Sequence, residues 1–240
     1  MAGVESTGSN PDVSLLYEIN GFAGDAPGWF DRTMTWVGER GIVFAMVALL
    51  VACWWVVRRR EDAPIAVAGL LWAPLAAGLA LLVNLPIRGF VERPRPFVDH
   101  RGLEVLLPGK GDYSFVSDHA TLVMALAVGI FIAHRRFGLV GIGLAFLEGF
   151  CRVYMGLHYP TDVVGGFALG TAVTLLLAPL AMALLTPLAR AAGNSRRGRW
   201  LTGGERTAPV DGGSARRAEG EAGAEGASAP SGDRENDLAA

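Results

Sequence analysis

Arginine, histidine and aspartate share one short segment, CRVYMGLHYPTD at residues 151–162, which lies between two long apolar runs. Arg152 precedes His158 by six residues, and Asp162 follows His158 by four. A carboxylate beside an imidazole fixes its tautomer, so that the other ring nitrogen keeps a lone pair. Such a nitrogen can attack phosphorus and form a phosphohistidine. We therefore predict that His158 is a nucleophile and that Asp162 orients it.

A second candidate segment, YSFVSDHAT at residues 113–121, begins an apolar run. Ser117 lies where the N-cap of a helix is expected, and a helix N-terminus offers free N–H groups and a positive dipole end to a phosphate. Ser117 and Asp118 are therefore candidate phosphate ligands, although plain capping is the better explanation of these two residues taken alone. His119 follows in the first turn and is a candidate general acid for the leaving oxygen.

The third segment is RGFVERPRPF at residues 88–97, which carries Arg88 and Arg95. A guanidinium is always charged and matches phosphate oxygens two at a time. Together with Arg152, these side chains predict a strongly anionic ligand. Three further cations either hold a second phosphate or lie at the rim of the site: Arg93, Arg101 and Lys110.

The same residues predict chemistry without a metal or another cofactor. The proposed phosphate ligands are cations or N–H groups, and no cluster of carboxylates suits a hard divalent cation. Cys53 and Cys151 lie in or beside apolar runs and form no CxxC pair, so we expect neither a disulfide nor a metal site from them. Glu148 precedes Arg152 by four residues and is expected to pair with it along a helix. The alternatives for Glu148 are a proton relay or a contact with an arginine of the 88–97 segment.

Composition indicates which elements position these groups. Of the 240 residues, 51% are hydrophobic and 18% are charged, with a mean hydropathy of +0.35, whereas soluble domains carry about 25% charged residues. The apolar residues form uncharged blocks at 41–57, 63–87, 120–133, 137–147 and 163–189. A membrane helix needs about 20 such residues. We predict an all-α polytopic membrane helix bundle with about five transmembrane helices, preceded by N-terminal interfacial helices.

Three regions follow from this pattern. Residues 1–40 form an amphipathic N-terminal segment, residues 41–190 the membrane domain, and residues 191–240 a cytoplasmic tail too poor in large apolar residues to fold. The first twelve residues do not resemble a signal peptide, so we expect insertion through the chain's own helices. Arginines at 58–60, 135–136 and 190–199 indicate the cytoplasmic side. The N-terminus and the loops 88–118 and 148–162 then face outward, so that all three candidate segments lie on one face.

The three segments resemble the signature motifs of the type-2 phosphatidic acid phosphatase superfamily. Those motifs run Lys-x6-Arg-Pro, Pro-Ser-Gly-His and Ser-Arg-x5-His-x3-Asp, and this chain matches them in order and spacing across residues 88–162. The resemblance implies a helical membrane bundle, a phosphohistidine mechanism and no metal. Four positions depart from the motifs: Arg88 replaces Lys, Val116 replaces Pro, Asp118 replaces Gly and Cys151 replaces Ser.

The stretch from residue 92 to residue 121 is also similar to bacterial undecaprenyl-diphosphatases of this superfamily. That similarity implies hydrolysis of a polyprenyl diphosphate lipid on the outer face of a bacterial cell membrane, in cell wall synthesis. The expected partners are this lipid and the bilayer, not nucleic acid. Three alternatives stay open: a phosphatidic acid or phosphatidylglycerophosphate monophosphatase, a relative of the vanadium haloperoxidases, and a non-catalytic membrane scaffold.

Overall fold

The computed structural model describes residues 10–109, 111–195 and 200, and the folded part of this chain is helical. The elements in chain order are α1 (Pro11–Asp25), α2 (Gly28–Trp36), a π-helical turn (Val37–Gly41), α3 (Ile42–Val57), α4 (Ala63–Val91), α5 (Pro96–Asp99), α6 (Asp118–Ala133), α7 (Arg135–Tyr154) and α8 (Pro160–Asn194). The predicted all-α class is confirmed for these residues. Most of the predicted tail, residues 191–240, lies outside the described residues. Helix α8 extends four residues into it, because the helix ends at Asn194.

Four helical segments of the described chain are long and apolar enough to cross a membrane: Gly28–Val57, Ala63–Asp99, Arg135–Tyr154 and Pro160–Asn194. The fifth predicted span corresponds to α6, which is apolar but has only 16 residues. A spanning helix usually needs at least about 17. By length and composition the count is therefore four, and α6 is a shorter helix of the bundle.

Helix α6 is apolar on all sides because protein surrounds it. It packs against α4, α7 and α8, and eleven of its residues are buried. Small residues allow the close approach of its neighbours. A Cβ on Gly129 would lie 2.5 Å from Cα of Ala73 in α4, and one on Gly170 in α8 would lie 2.5 Å from the carbonyl oxygen of Thr121. The first contact holds α4 against the C-terminal half of α6, and the second holds α8 against the first turn of α6, which follows Ser117.

The predicted boundary at residue 40 lies inside one continuous helical stretch. Helix α2 continues through the π-helical turn into α3. Gly38, Glu39 and Arg40 interrupt the apolar pattern, which explains why the sequence indicates a boundary there. In the structure Gly38 packs against α7, where an added Cβ would lie 2.7 Å from Cβ of Cys151.

Helix α1 lies against the bundle through one stripe. Its buried residues are Val13, Leu16, Asn20 and Ala23, at the spacing of one helix face. Asn20 fastens the stripe, because its amide donates to the carbonyl oxygens of Glu104 at 2.9 Å and Tyr154 at 2.8 Å and accepts from the Glu104 N–H at 2.8 Å. The N-terminal helix is thereby tied to the loop and the helix end that lead to the candidate site.

The candidate site residues and two of the arginine-rich loops lie at opposite ends of the helix bundle. The α6 N-terminus meets the α8 N-terminus through the Ser117 N–H, which donates to the Asp162 carbonyl at 3.1 Å. The α4 C-terminal half joins them through Asn84, whose amide donates to the Val116 carbonyl at 3.1 Å. A groove lined in part by Arg60, His134 and Arg135 lies at the other ends of α4 and α6. The arginine-rich loops at 58–60 and 135–136 are therefore separated from the candidate residues by the length of α4 and α6.

Candidate active site

His158 occupies the corner between α7 and α8 and is almost completely buried. Nη1 of Arg95 lies 3.3 Å from its Nε2. A guanidinium only donates hydrogen bonds, so Nε2 is the accepting nitrogen in this geometry. Nδ1 lies 2.9 Å from the carbonyl oxygen of Ser114 and donates its proton there. His158 is thus held as the neutral tautomer whose lone pair faces the arginine.

Asp162 supports this histidine from the first turn of α8, but at a longer distance than a hydrogen bond. Its Oδ2 lies 3.7 Å from Nδ1 of His158, whereas it accepts from the hydroxyl of Ser114 and, at 2.9 Å, from the backbone N–H of Tyr159. The predicted pairing of His158 with Asp162 is therefore electrostatic here, and the Ser114 carbonyl is the group that fixes the tautomer.

The surroundings of His158 favour its neutral form. Burial lowers the pKa of His158 below its usual value; the Asp162 carboxylate opposes this shift, and the charge of Arg95 adds to it. A neutral imidazole is the form that can attack phosphorus. The local electrostatics and the hydrogen bonds therefore favour the same protonation state.

Arg88 and Arg95 converge on one carboxylate, that of Asp112. Arg88 donates from Nη1 to Oδ2 at 2.9 Å, and Arg95 donates from Nη2 to Oδ1 at 2.7 Å. Partial burial alone would raise the pKa of Asp112, but the hydrogen bond and charge of Arg95 and the charge of Arg88 hold it below its usual value. The carboxylate is therefore ionised at neutral pH. Asp112 thus occupies the position between the two arginines at which a phosphate is predicted to bind.

Asp118 turns its side chain towards α4. It pairs with Nη2 of Arg88 and accepts from the amide of Asn84 at 2.7 Å. Its carboxylate is thus held by α4 side chains. Ser117 is the N-cap of α6, with its hydroxyl oxygen 3.5 Å from the Ala120 N–H, and this geometry is that of ordinary capping.

His119 lies in the first turn of α6 and is partly buried. The α6 N-terminus is joined to the first turn of α8 by the bond between Ser117 and Asp162. His119 and His158 therefore belong to neighbouring helix ends at the same end of the bundle. The role of His119 as a general acid stays a prediction.

Arg152 is buried, and its guanidinium bonds to residues of α7 and of the π-helical turn. Nε donates to Glu148 at 2.6 Å, Nη1 donates to Glu39 at 3.0 Å, and Nη2 donates to the carbonyl of Gly38. The expected pair with Glu148 is confirmed by this distance. Binding of phosphate by Arg152 stays a prediction, and it requires the side chain to leave these partners.

Arg93 is committed to protein carboxylates. Nη1 donates to Asp162 at 2.7 Å, Nη2 donates to Asp12 at 2.7 Å, and the guanidinium stacks on the ring of Tyr159 at 3.7 Å. These bonds leave Arg93 poorly placed to hold a second phosphate. Of the two other candidates, Arg101 is exposed and Lys110 lies outside the described residues.

Four residues of the site were missed by sequence reasoning: Asp12, Asn84, Asp112 and Ser114. Asn84 had a detectable signal, because it is a polar residue within the apolar block 63–87, where it is now buried. The other three lie in segments whose path the sequence does not reveal. Both cysteines are buried with free thiols, and the described residues contain no cluster of metal-ligating side chains.

Comparison with known proteins defines the class. A family model described as PAP2 superfamily matches residues 69–185. Decaprenylphosphoryl-5-phosphoribose phosphatase of Mycobacterium tuberculosis is 33% identical over 167 residues, which cover 68% of this chain and 86% of the relative. The chain therefore belongs to the PAP2 superfamily. It is a multi-pass membrane protein of that superfamily.

Two further similarities concern a relative and a fold. Undecaprenyl-diphosphatase BcrC of Bacillus subtilis is 33% identical over 136 residues, which cover 56% of this chain and 66% of that protein, slightly under two thirds of its length. The crystal structure of a transmembrane PAP2-type phosphatidylglycerolphosphate phosphatase from Bacillus subtilis aligns with a TM-score of 0.51 at 22% identity, and covers 75% of this chain and 90% of that one. The second similarity concerns the fold alone.

Proposed function

We propose that this protein hydrolyses undecaprenyl diphosphate to undecaprenyl phosphate and inorganic phosphate, through a phosphohistidine at His158. The observation that carries the proposal is the tautomer of His158, whose Nε2 accepts from Arg95 while the Ser114 carbonyl holds Nδ1. The name of the Bacillus relative supports this substrate, and that of the Mycobacterium relative supports a polyprenyl lipid more generally.

Substrate binding begins when the substrate phosphate displaces a carboxylate from Arg88 and Arg95. The terminal phosphate replaces Asp112 between Arg88 and Arg95, because it offers more charge and more acceptor oxygens than a carboxylate. The backbone N–H of Asp118, at the N-terminus of α6, completes the phosphate site, whereas the N–H of Ser117 can join it only by leaving the Asp162 carbonyl. Arg152 is the third guanidinium of the motifs, and in this role it exchanges Gly38 and Glu39 for phosphate oxygens.

The reaction then proceeds in two displacements. Nε2 of His158 attacks the terminal phosphorus, the bond from phosphorus to the bridging oxygen breaks, and His119 gives its proton to the leaving undecaprenyl phosphate. The phosphohistidine carries a positive charge that the Asp162 carboxylate stabilises. Water, deprotonated by His119, next attacks phosphorus and breaks the phosphorus–nitrogen bond, which releases inorganic phosphate and restores both histidines. No step uses a metal ion.

The proposed placement in the membrane puts this site on the outer face. Arginines of the 58–60 and 135–136 loops belong on the cytoplasmic side, and the site lies at the opposite end of α4 and α6. Helix α6 crosses most of the bilayer inside the bundle as its fifth helix. Helix α1 lies at the interface, with Phe22 exposed on its outer side.

A substrate panel tests the proposal. Purified protein is given undecaprenyl diphosphate, phosphatidic acid and phosphatidylglycerophosphate in detergent with a chelator, and phosphate release is measured. We expect kcat/KM for the diphosphate to exceed the others by more than about tenfold, the effect of one charge-assisted hydrogen bond. His158→Ala is the inactive control. His134→Ala removes a histidine at the other end of the bundle and is expected to leave the rate unchanged.

The alternatives are outcomes of the same panel. Preference for phosphatidic acid or phosphatidylglycerophosphate would identify a monophosphatase. No phosphate release from any lipid, with the protein folded, would support the scaffold reading. Halide oxidation after addition of vanadate would place the protein with the haloperoxidases. Loss of activity in chelator that magnesium restores would contradict the metal-free scheme.

A further inference from the structure

The N-terminal helix α1 contributes a carboxylate to the site, although it lies outside the segment matched by the family model. The side chain of Asp12 is only 10% exposed. Its Oδ1 accepts from the backbone N–H of Thr161 at 2.9 Å, and its Oδ2 accepts from the Thr161 hydroxyl at 2.6 Å and from Arg93 at 2.7 Å. Three bonds to one carboxylate indicate a built contact.

The first of these bonds supplies a cap to another helix. Helix α8 begins at Pro160, and its first turn carries Thr161 and Asp162. The N–H groups of a first helical turn have no partner within the helix. Asp162 accepts from the N–H of Tyr159, and Asp12 accepts from that of Thr161. A carboxylate from α1 therefore fixes the turn that aims Asp162 at His158.

The second consequence concerns charge. Arg93 lies between two carboxylates, with Nη1 on Asp162 and Nη2 on Asp12, both at 2.7 Å. A lone Arg93 would offset the charge of Asp162. With Asp12 present, the three groups together carry one negative charge, and this charge stabilises positive charge on His158.

We infer that Asp12 is a positioning residue of the phosphatase centre: it caps the first turn of α8 and balances Arg93, so that Asp162 keeps both its direction and its effective charge beside His158. The inference rests on the proposed phosphohistidine chemistry. It assigns a function to the N-terminal helix, which orients the site without contact with the substrate.

The direction of the effect follows from the charges that act on His158. These belong to Asp162 of α8, Arg95 of the segment between α4 and α5, and Arg152 of α7. All three residues stay unchanged in the variant Asp12→Asn. Asp12→Asn removes a negative charge, so His158 becomes harder to protonate. Arg93→Gln removes the positive charge beside Asp162, so His158 becomes easier to protonate. A general loosening of the structure would shift both variants in the same direction.

Titration of His158 by ¹⁵N NMR of histidine-labelled protein in detergent measures this without turnover. The four histidines are assigned from single variants. We expect Asp12→Asn to move the midpoint to lower pH and Arg93→Gln to move it to higher pH. Asp12→Glu keeps the charge and is expected to restore the wild-type midpoint. Glu18→Gln makes the same charge change at an exposed position of α1 and is the matched control.

Kinetics on the preferred lipid complete the test. Asp12→Asn is expected to lower kcat several-fold with KM unchanged, and to move the acid limb of kcat/KM in the same direction as the NMR midpoint. An unchanged midpoint in Asp12→Asn, or shifts of the same sign in Asp12→Asn and Arg93→Gln, would overturn the inference. Absence of lipid hydrolysis by the wild type would instead refute the proposed function, while the NMR midpoints still decide the charge coupling.

Discussion

Nη1 of Arg95 lies 3.3 Å from Nε2 of His158, so a residue predicted to bind phosphate already contacts the nitrogen predicted to attack it. Arg95 also donates to the Leu157 carbonyl at 3.0 Å, which ties it to the corner that carries the histidine. A phosphate on this guanidinium is therefore brought to the nucleophile by one side chain. In the proposed mechanism, Arg95 would thus both bind the phosphate and orient it towards Nε2 of His158.

The pH dependence of the reaction follows from the state of His158. Its pKa lies below the usual value of about 6.5 because of burial and Arg95, so the nucleophile stays neutral down to lower pH. We expect the acid limb of kcat/KM to fall below that pH. Asp162→Asn removes the opposing carboxylate and is expected to move the limb lower still. A limb above pH 7 in the wild type would contradict this environment.

The two histidines are expected to respond differently to the leaving group. A lipid phosphate leaves reluctantly and needs the proton of His119, whereas a nitrophenolate leaves readily without it. His119→Ala is therefore expected to lose far more activity on the lipid than on p-nitrophenyl phosphate, while His158→Ala loses both. Equal proportional losses in the two variants on both substrates would refute this division of roles.

Asp112 is expected to compete with anions for Arg88 and Arg95. Asp112→Asn removes the charge from the position that phosphate takes, so inhibition by orthovanadate is expected to tighten several-fold. Asp99→Asn, an exposed aspartate of α5, is the control. Weaker inhibition in Asp112→Asn would mean that the carboxylate organises the two arginines and does not compete with phosphate.

Much of this arrangement was predictable from the sequence, because the three motifs lie at the ends of apolar blocks and therefore at the ends of the helices that these blocks form. Arg95, His158 and Asp162 were placed in one site, and the structure brings them together through contacts of 3.3 and 3.7 Å. The bonds of Arg152 were only half predicted. Glu148 was accessible to reasoning because helix geometry fixes a partner four residues away, whereas Glu39 lies 113 residues away across a helix contact.

Residues that reach the site through loops or from distant helices were not predictable, because local sequence spacing does not reveal such long-range contacts. Asp112 and Ser114 act through where the chain between α5 and α6 runs, and no periodicity encodes that path. Asp12 acts across 149 residues on Thr161. The sequence predicts about five membrane spans, whereas four helical segments of the described chain have the length to cross, because an apolar helix buried in protein and one facing lipid have the same composition. Only the 16-residue length of α6 separates the two cases.

Glu148 is expected to act through stability. Its bond with Arg152 is 2.6 Å long between two buried side chains. Removal of Glu148 leaves the buried Arg152 with Glu39 as its carboxylate partner, so Glu148→Gln is expected to reduce the free energy of unfolding by about 2 kcal/mol, seen as a lower melting temperature in detergent. The exposed variant Glu18→Gln is expected to melt like the wild type. Loss of activity without loss of stability would instead favour the proton relay.

Trapping of the covalent intermediate tests the central claim most directly. Protein mixed with undecaprenyl diphosphate labelled with ³²P in its terminal phosphate is quenched in alkali, in which phosphohistidine survives, and the labelled peptide is identified. We predict label on His158 that is lost in acid, no label in His158→Ala, and label retained in the control His134→Ala. Label on another residue, or turnover by His158→Ala at the wild-type rate, would contradict the account.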